Sequence, residues 1–532
     1  MSKKEFDRRS FLGRGTLGAL VGGTLRRAFA ADGNPIVETT AGKVRGNAQG
    51  NVNIFKGIPY GASTAGSGRF MPPSKPQPWP DVRDAQELGQ KAPQNPENLL
   101  PEVLVQRPKD EPMGEDCLRL NVWTAGVGDG HKRPVMVWLH GGGFATGSGG
   151  SYYFDGKNLA GKHDVVVVTL NHRLNLFGFL YLGDLGGPKY ANSGNVGMLD
   201  IVAALEWVRD NATAFGGDPA NVTIFGESGG GGKVSTLMAM PAAQRLFHRA
   251  VVESASALKG VPREAATKSA EAFLTKLGLK PGQVDELQKL PMARLLTAME
   301  GAQALRLSPV VDGRSLPADP FDPVAPEMSA NVPLLIGSNA TEVTFMANTP
   351  LDALDDASFR QHVKQNVRLD NAAADRLIAV YKKAQPAASN IDLYLAIASD
   401  NWMRVNVVTE AERKAAQKAP VYMYYFTWKT PVRDGKLRTP HTLEIAFAFD
   451  NVDLAKSLTG SGQDRYALAD KMSAAWVAFA RTGNPNHKGL PKWPAYTLDR
   501  RATMVLDNQC KVVDDPGREE RLAMSAIKFR QS

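Results

Sequence analysis

The chain has 532 residues, 43% of them hydrophobic and 22% charged, with 51 glycines and 34 prolines; this globular composition excludes collagen, coiled coil and wholesale disorder. No run of about 18 apolar residues occurs, so no ordinary membrane span is expected, and two cysteines, Cys117 and Cys510, cannot build a disulfide framework or a cysteine-based zinc ribbon. Of the net charge of +9, residues 1–30 carry a surplus of five, from seven Lys/Arg against two acids; the remaining +4 is interspersed, which gives no electrostatic footprint for a nucleic-acid partner.

Residues 1–30 have a basic head, a weakly apolar stretch from Phe11 to Leu25, and the small residues Ala28-Phe29-Ala30. That is the three-part layout of an export signal. Arg8-Arg9-Ser10-Phe11-Leu12 resembles the twin-arginine motif. The five glycines and Arg14 that dilute the apolar stretch favour that route. Cleavage is expected near Ala30, with export to the periplasm or the medium, leaving residues 31–532 as one domain. Pro72–Pro112 is proline-rich and is expected to be a surface excursion.

Short Val- and Ile-rich runs then alternate with helical patterns. The runs are Val135–His140, Val165–Leu170, Val222–Gly226, Ala250–Glu253, Pro333–Gly337 and Val421–Trp428. Met198–Phe215 has apolar residues at helical spacing. This alternation predicts an α/β fold with a mainly parallel sheet covered on both faces. The segments around 262–305 and 351–418 are expected to be helical insertions over one end of the sheet.

The first chemical motif is Trp138-Leu139-His140-Gly141-Gly142-Gly143-Phe144, directly after an apolar strand. Such an HGGG-type loop brings bare backbone N–H groups close to a substrate. Gly142, Gly143 and Gly229 are assigned as oxyanion donors. The second motif is Gly226-Glu227-Ser228-Gly229-Gly230, a G-x-S-x-G between a strand and a helix. A serine on so tight a turn must point its oxygen out of the sheet, while the helix start aims free N–H groups at developing negative charge. Gly232-Lys233 resembles part of a phosphate loop, but Glu227 and Val234 stand where that loop needs Gly and Ser/Thr.

A base and an acid should follow in the order serine, acid, histidine. His248 lies too close to Ser228 to leave room for a strand-borne acid. That leaves His362 in a charged helical segment, His487 in an Asn-Pro-Asn turn, and His441 in a loop after Val421–Trp428. His441 is the expected base. For the acid, Glu342 follows the strand Pro333–Gly337, and Asp312 is a competitor that reads as a turn residue. No His/Asp/Glu cluster has ligand spacing, so no metal and no cofactor are expected.

These stretches resemble the type-B carboxylesterases of the α/β-hydrolase fold, the group that holds bacterial para-nitrobenzyl esterases, animal carboxylesterases and cholinesterases. The likeness runs from about residue 35 to 510. It includes Phe55-Lys56-Gly57-Ile58-Pro59-Tyr60, Glu115-Asp116-Cys117-Leu118-Arg119-Leu120-Asn121-Val122, Phe215-Gly216-Gly217-Asp218-Pro219, Gly337-Ser338-Asn339 leading to Glu342, and His441 with Glu444. The resemblance implies a triad of Ser228, Glu342 and His441, with Glu227 and Ser254 in support. It implies an acyl-enzyme mechanism on a small-molecule ester, with an amide, carbamate or lactone hydrolase as the near alternative and a non-catalytic binding protein as the remote one. Phe144, Tyr152, Tyr153, Phe154, Phe345 and Met346 are candidates for an apolar pocket.

Four positions depart from the family pattern. Gly229 stands for the usual Ala, which is expected to free one donor's backbone, so that Gly229→Ala keeps or improves turnover. Lys233 stands for a frequent Ser and is expected to put charge near the nucleophile's helix. Cys117 lacks its usual partner and is expected to be a buried free thiol. His172 replaces a usual Tyr.

Overall fold

The computed structural model describes residues 33–95, 108, 111–301, 305–347 and 349–531. The expected export signal at 1–30 lies outside them.

The centre is an eleven-stranded sheet. In chain order its strands are β1 (Asn47–Gln49), β2 (Val52–Pro59), β3 (Arg119–Thr124), β4 (Arg133–Leu139), β5 (Val166–Leu170), β6 (Gly217–Glu227), β7 (Arg249–Glu253), β8 (Leu334–Asn339), β9 (Val421–Phe426), β10 (Ala502–Leu506) and β11 (Lys511–Asp514). Across the sheet they run β11-β10-β9-β8-β7-β6-β4-β5-β3-β2-β1. From β10 to β5 every pairing is parallel. The outer pairings at both edges are antiparallel. The anticipated parallel core is therefore present, with antiparallel margins that the apolar runs did not reveal. In β2, for instance, Asn53, Lys56 and Gly57 interrupt the apolar pattern.

The central strands are buried over most of their length, β4 and β5 throughout, as strands covered by helices on both faces are. Side chains alternate between the two faces with the strand's period of two. Val135, Val137 and Leu139 of β4 join one core cluster, and Met136 and Trp138 join the other. Trp138 packs edge-on against Phe225 and Phe449 with centroids 4.9 Å from each. Truncating such a fully buried aromatic typically costs about 3–5 kcal/mol.

The two segments expected to be helical are so. Residues 262–305 give α-helices at Arg263–Lys276 and Met292–Met299. Residues 351–418 give Asp356–Val367, Asn371–Ala384, Asn390–Ser399 and Val405–Ala415. The first three of these start at Asp355, Asp370 and Ser389, whose side chains accept backbone N–H groups; each such cap contributes about 1 kcal/mol. A π-helical turn, Asp400–Arg404, joins the last two. No helix among the described residues is long and apolar enough to cross a membrane.

Candidate active site

Register puts the C-terminal ends of the central strands side by side. Leu139 pairs with Gly226, and Glu253 pairs with both Glu227 and Gly337. In parallel sheets this carboxyl rim is where sites form. Ser228 follows β6 and precedes the helix Gly229–Leu237, here α1. Its backbone is held at φ 55° and ψ −126°, a strained region for a residue with a Cβ. The turn is fixed by Ser228 N–H donating to Glu253 O at 2.9 Å. The flanking glycines are required by space. A Cβ on Gly226 would lie 2.6 Å from Leu139 O, and one on Gly230 only 1.9 Å from it.

His441 and Glu342 meet. Nδ1 of His441 lies 2.6 Å from Oε2 of Glu342, with both side chains buried. Glu342 Oε1 accepts the Asn339 N–H at 2.7 Å. The loop carrying the acid is pinned to the loop carrying the histidine by Thr439 N–H donating to Thr341 Oγ1 at 2.9 Å. Asn339 Nδ2 donates to Pro440 O at 2.9 Å and also to Glu444. Ser254, at φ 46° and fully buried, donates to the other Glu444 oxygen. The second ring nitrogen of His441 faces Glu227, with Nε2 3.3 Å from Oε1. The side-chain contacts of His441 within this site are those to Glu342 and Glu227, and no hydrogen bond joins it to Ser228 Oγ.

Burial, reinforced by neighbouring carboxylates, raises Glu227 far above the ordinary carboxyl range. The same causes raise Glu253 to about 8 and Glu444 to about 7. For His441, burial alone would depress the imidazolium. Glu227, Glu342 and Glu444 together outweigh it and lift the group to about 9. An imidazolium formed here is thus held by acids on both ring nitrogens, and a free imidazole requires pH above the usual histidine range.

The glycine loop closes the other side. Gly142 and Gly143 have φ of 86° and 62°, conformations that favour glycine. A Cβ on Gly141 would be 3.5 Å from Ser228 Cβ, so the loop runs beside the serine. The Gly142 and Gly143 amides make no hydrogen bond within the described residues, and the Gly229 amide is in the first turn of α1, where helical N–H groups have no intrahelical partner. One expectation is overturned here. A methyl on Gly229 would fall 2.1 Å from Gly143 O and 2.4 Å from Gly143 Cα. Gly229 therefore makes room for the loop, and Gly229→Ala is not a benign change.

Asp312 is the turn residue anticipated, accepting the Arg314 and Leu316 N–H groups at 2.8 and 3.0 Å. His362 packs against Tyr394, and His248 and His487 bond to backbone groups far from the rim. Cys117 is buried and unpaired. Of the pocket candidates, Phe154 packs on Trp138 at 5.0 Å and Tyr153 is buried, so both belong to the core. Phe345 is likewise packed against that core. Phe144 stacks edge-on with Phe179 beside the glycine loop at 5.2 Å, while Tyr152 and Met346 are exposed. An aromatic neighbour of the site that the sequence did not disclose is Trp402. Its ring lies 5.0 Å from that of His441, and it remains 38% exposed. It sits on the π-turn, a feature that recurs at functional sites. Glu253, bonded to Trp476 Nε1 at 2.9 Å, was likewise not anticipated.

A family model described as the carboxylesterase family matches residues 33–525. The chain is 36% identical over 496 residues to the para-nitrobenzyl esterase of Bacillus subtilis (strain 168), covering 91% of this chain and 97% of that protein. It is 32% identical over 510 residues to the phenmedipham hydrolase of Pseudarthrobacter oxydans, covering 93% and 99%. Among solved structures, a Geobacillus stearothermophilus carboxylesterase superposes with a TM-score of 0.80 at 39% identity, covering 92% of this chain and 99% of that one. An esterase from Clostridium hathewayi gives 0.80 at 33% identity, covering 94% and 99%. With this span, these identities and a shared α/β-hydrolase architecture, the chain belongs to the carboxylesterase family and is a hydrolase of carboxylic esters.

Proposed function

We propose that Ser228 is the nucleophile, His441 the general base and acid, and Glu342 the carboxylate that orients it, with Gly142, Gly143 and Gly229 as oxyanion donors. The observation that carries this reading is the buried 2.6 Å contact between His441 Nδ1 and Glu342 Oε2, at the rim where Ser228 sits at the head of α1. His441 Nε2 takes the proton of Ser228 Oγ as that oxygen bonds to the ester carbonyl carbon. The carbonyl oxygen gains charge and is met by the three amides. The imidazolium returns the proton to the departing alcohol, and water, deprotonated by the same nitrogen, releases the acid. The Ser228–His441 hydrogen bond is proposed to tighten as the ester binds. Glu227 and Ser254 support the imidazole, Glu227 directly and Ser254 through Glu444.

Small to medium apolar or aromatic esters are the proposed substrates. Trp402 against His441 supports this, as does the similarity to a protein named para-nitrobenzyl esterase. The test is p-nitrophenyl acetate and butyrate hydrolysis by the wild type and by Ser228→Ala. A loss of at least about 10⁴-fold is expected, and equal rates defeat the assignment. A matched ester and amide pair separates ester chemistry from amide hydrolysis by the same residues. Residues 1–30 are proposed as a twin-arginine export address that leaves 31–532 as one domain in the periplasm or medium. Replacing Arg8 and Arg9 by Lys should retain the protein in the cytoplasm; unaltered export removes that proposal.

A further inference from the structure

Two departures from the family pattern meet at one place. Lys233, one turn into α1, is fully buried, and its Nζ donates to the carbonyl oxygen of His140 at 2.7 Å. His140 is where β4 hands over to Gly141, Gly142 and Gly143. The same ammonium lies 5.8 Å over the ring centroid of Phe144, the residue at the other end of those three glycines. The lysine therefore touches the loop at both ends. Between those ends the loop rests on Gly229, where Gly143 O occupies the space of an absent Cβ. The base of the loop is also met by His172, whose ring stacks on His140 at 5.1 Å and whose Nδ1 bonds to Arg173 O at 2.8 Å.

We propose that Lys233 and Gly229 act together as a clasp that seats the oxyanion loop on the nucleophile's helix. Lys233 holds the two ends, and the bare Cα of Gly229 lets the stretch between them approach. Lys233 is a positioning residue, acting through Gly142 and Gly143; the inference rests on the acyl-transfer reading above. A buried amine is expensive to keep, and burial pulls Lys233 down to about 7. Both the ammonium and the neutral amine carry N–H groups, so either form can hold the His140 carbonyl. A serine at this position, frequent in the family that the sequence resembles, is several bonds too short to do so.

The test is a double-mutant cycle read on p-nitrophenyl butyrate. Lys233→Met should lower kcat by about 10- to 100-fold with KM changed less than about threefold, because a displaced oxyanion donor acts in the transition state. The affinity for a trifluoromethyl ketone, which forms a tetrahedral adduct with a serine, should fall by the same factor. Lys233→Gln, which retains an N–H donor, should recover most of kcat and covers the case in which the methionine variant does not fold. Gly229→Ala should cost about 10²-fold in the wild type and at least fivefold less in the Lys233→Ser background, where a released loop can settle around the methyl. Unchanged kcat in Lys233→Met, equal losses in Met and Gln variants, or strictly multiplicative effects in the cycle overturn the clasp. Ser228→Ala is assayed alongside. If it retains wild-type activity, the triad reading falls. If it is inactive while Lys233→Met is normal, only the clasp falls.

Discussion

A methyl group on Gly229 is a stringent perturbation of the proposed oxyanion loop. Built on the present backbone, it lies 2.1 Å from O, 2.4 Å from Cα and 2.5 Å from C of Gly143. Ordinary contact begins at 3.4 Å, so something must retreat by roughly 1 Å. No side chain can absorb this, since all three atoms are main chain. The helix cannot give way either, because the next residue, Gly230, already packs against Leu139 O. The loop must therefore move, and it carries the Gly143 N–H away from the position proposed for it as an oxyanion donor. A misplacement of about 1 Å costs on the order of 10²-fold, and loss of one oxyanion donor costs about 10²–10³ in kcat, or ~3–4 kcal/mol. Steady-state hydrolysis of p-nitrophenyl butyrate by Gly229→Ala should show kcat about 10²-fold down and KM within about threefold. Circular dichroism and Tm should confirm a folded protein. A folded variant with kcat within threefold of wild type would refute the placement of the loop against α1.

Glu342→Gln should leave the fold intact but lose about 10³–10⁴ in kcat, by analogy with the effect of neutralising a triad acid elsewhere, and a loss under tenfold counts against its role as the orienting group. Glu227→Gln removes the neighbour that does most to raise His441. With less negative charge beside it the imidazolium has a lower pKa, so the acid limb of the kcat/KM profile should move to lower pH; an unmoved or alkaline-shifted limb contradicts the 3.3 Å geometry. Trp402→Ala should raise KM for an aromatic ester more than for the acetate, whereas an equal change for both would remove Trp402 from the pocket. Asp200→Asn breaks a buried, doubly bonded ion pair with Arg173, at 2.6 and 2.8 Å. It should destabilise the protein by about 3–5 kcal/mol, read as a fall in denaturant midpoint; a shift below 1 kcal/mol would be inconsistent with the buried geometry.

Several parts of this site were legible because their geometry is local. G-x-S-x-G is a statement about one turn, and the glycines at 226 and 230 are forced by Leu139 O from the adjoining strand. The meeting of Glu342 with His441, proposed above as acid and base, was legible through chain order and strand ends, which the sheet's register then aligned. Other parts depend on how distant segments fold onto one another, and no local pattern encodes that. Trp402 sits in a helical segment with nothing to mark its reach to His441, and Glu253 finds Trp476 223 positions away. Lys233 and His140, 93 positions apart, are of the same kind. The antiparallel margins of the sheet escaped because polar residues such as Asn53, Lys56 and Asn121 interrupt the apolar pattern of β2 and β3. Gly229 shows how such distance can reverse a sign. Considered along the chain, a glycine after the nucleophile means a freer backbone, and alanine should tighten it. In the folded molecule the missing Cβ is occupied space, filled by a carbonyl from 86 positions earlier in the chain. The residue's freedom is irrelevant once its neighbour is there, and what governs the substitution is volume.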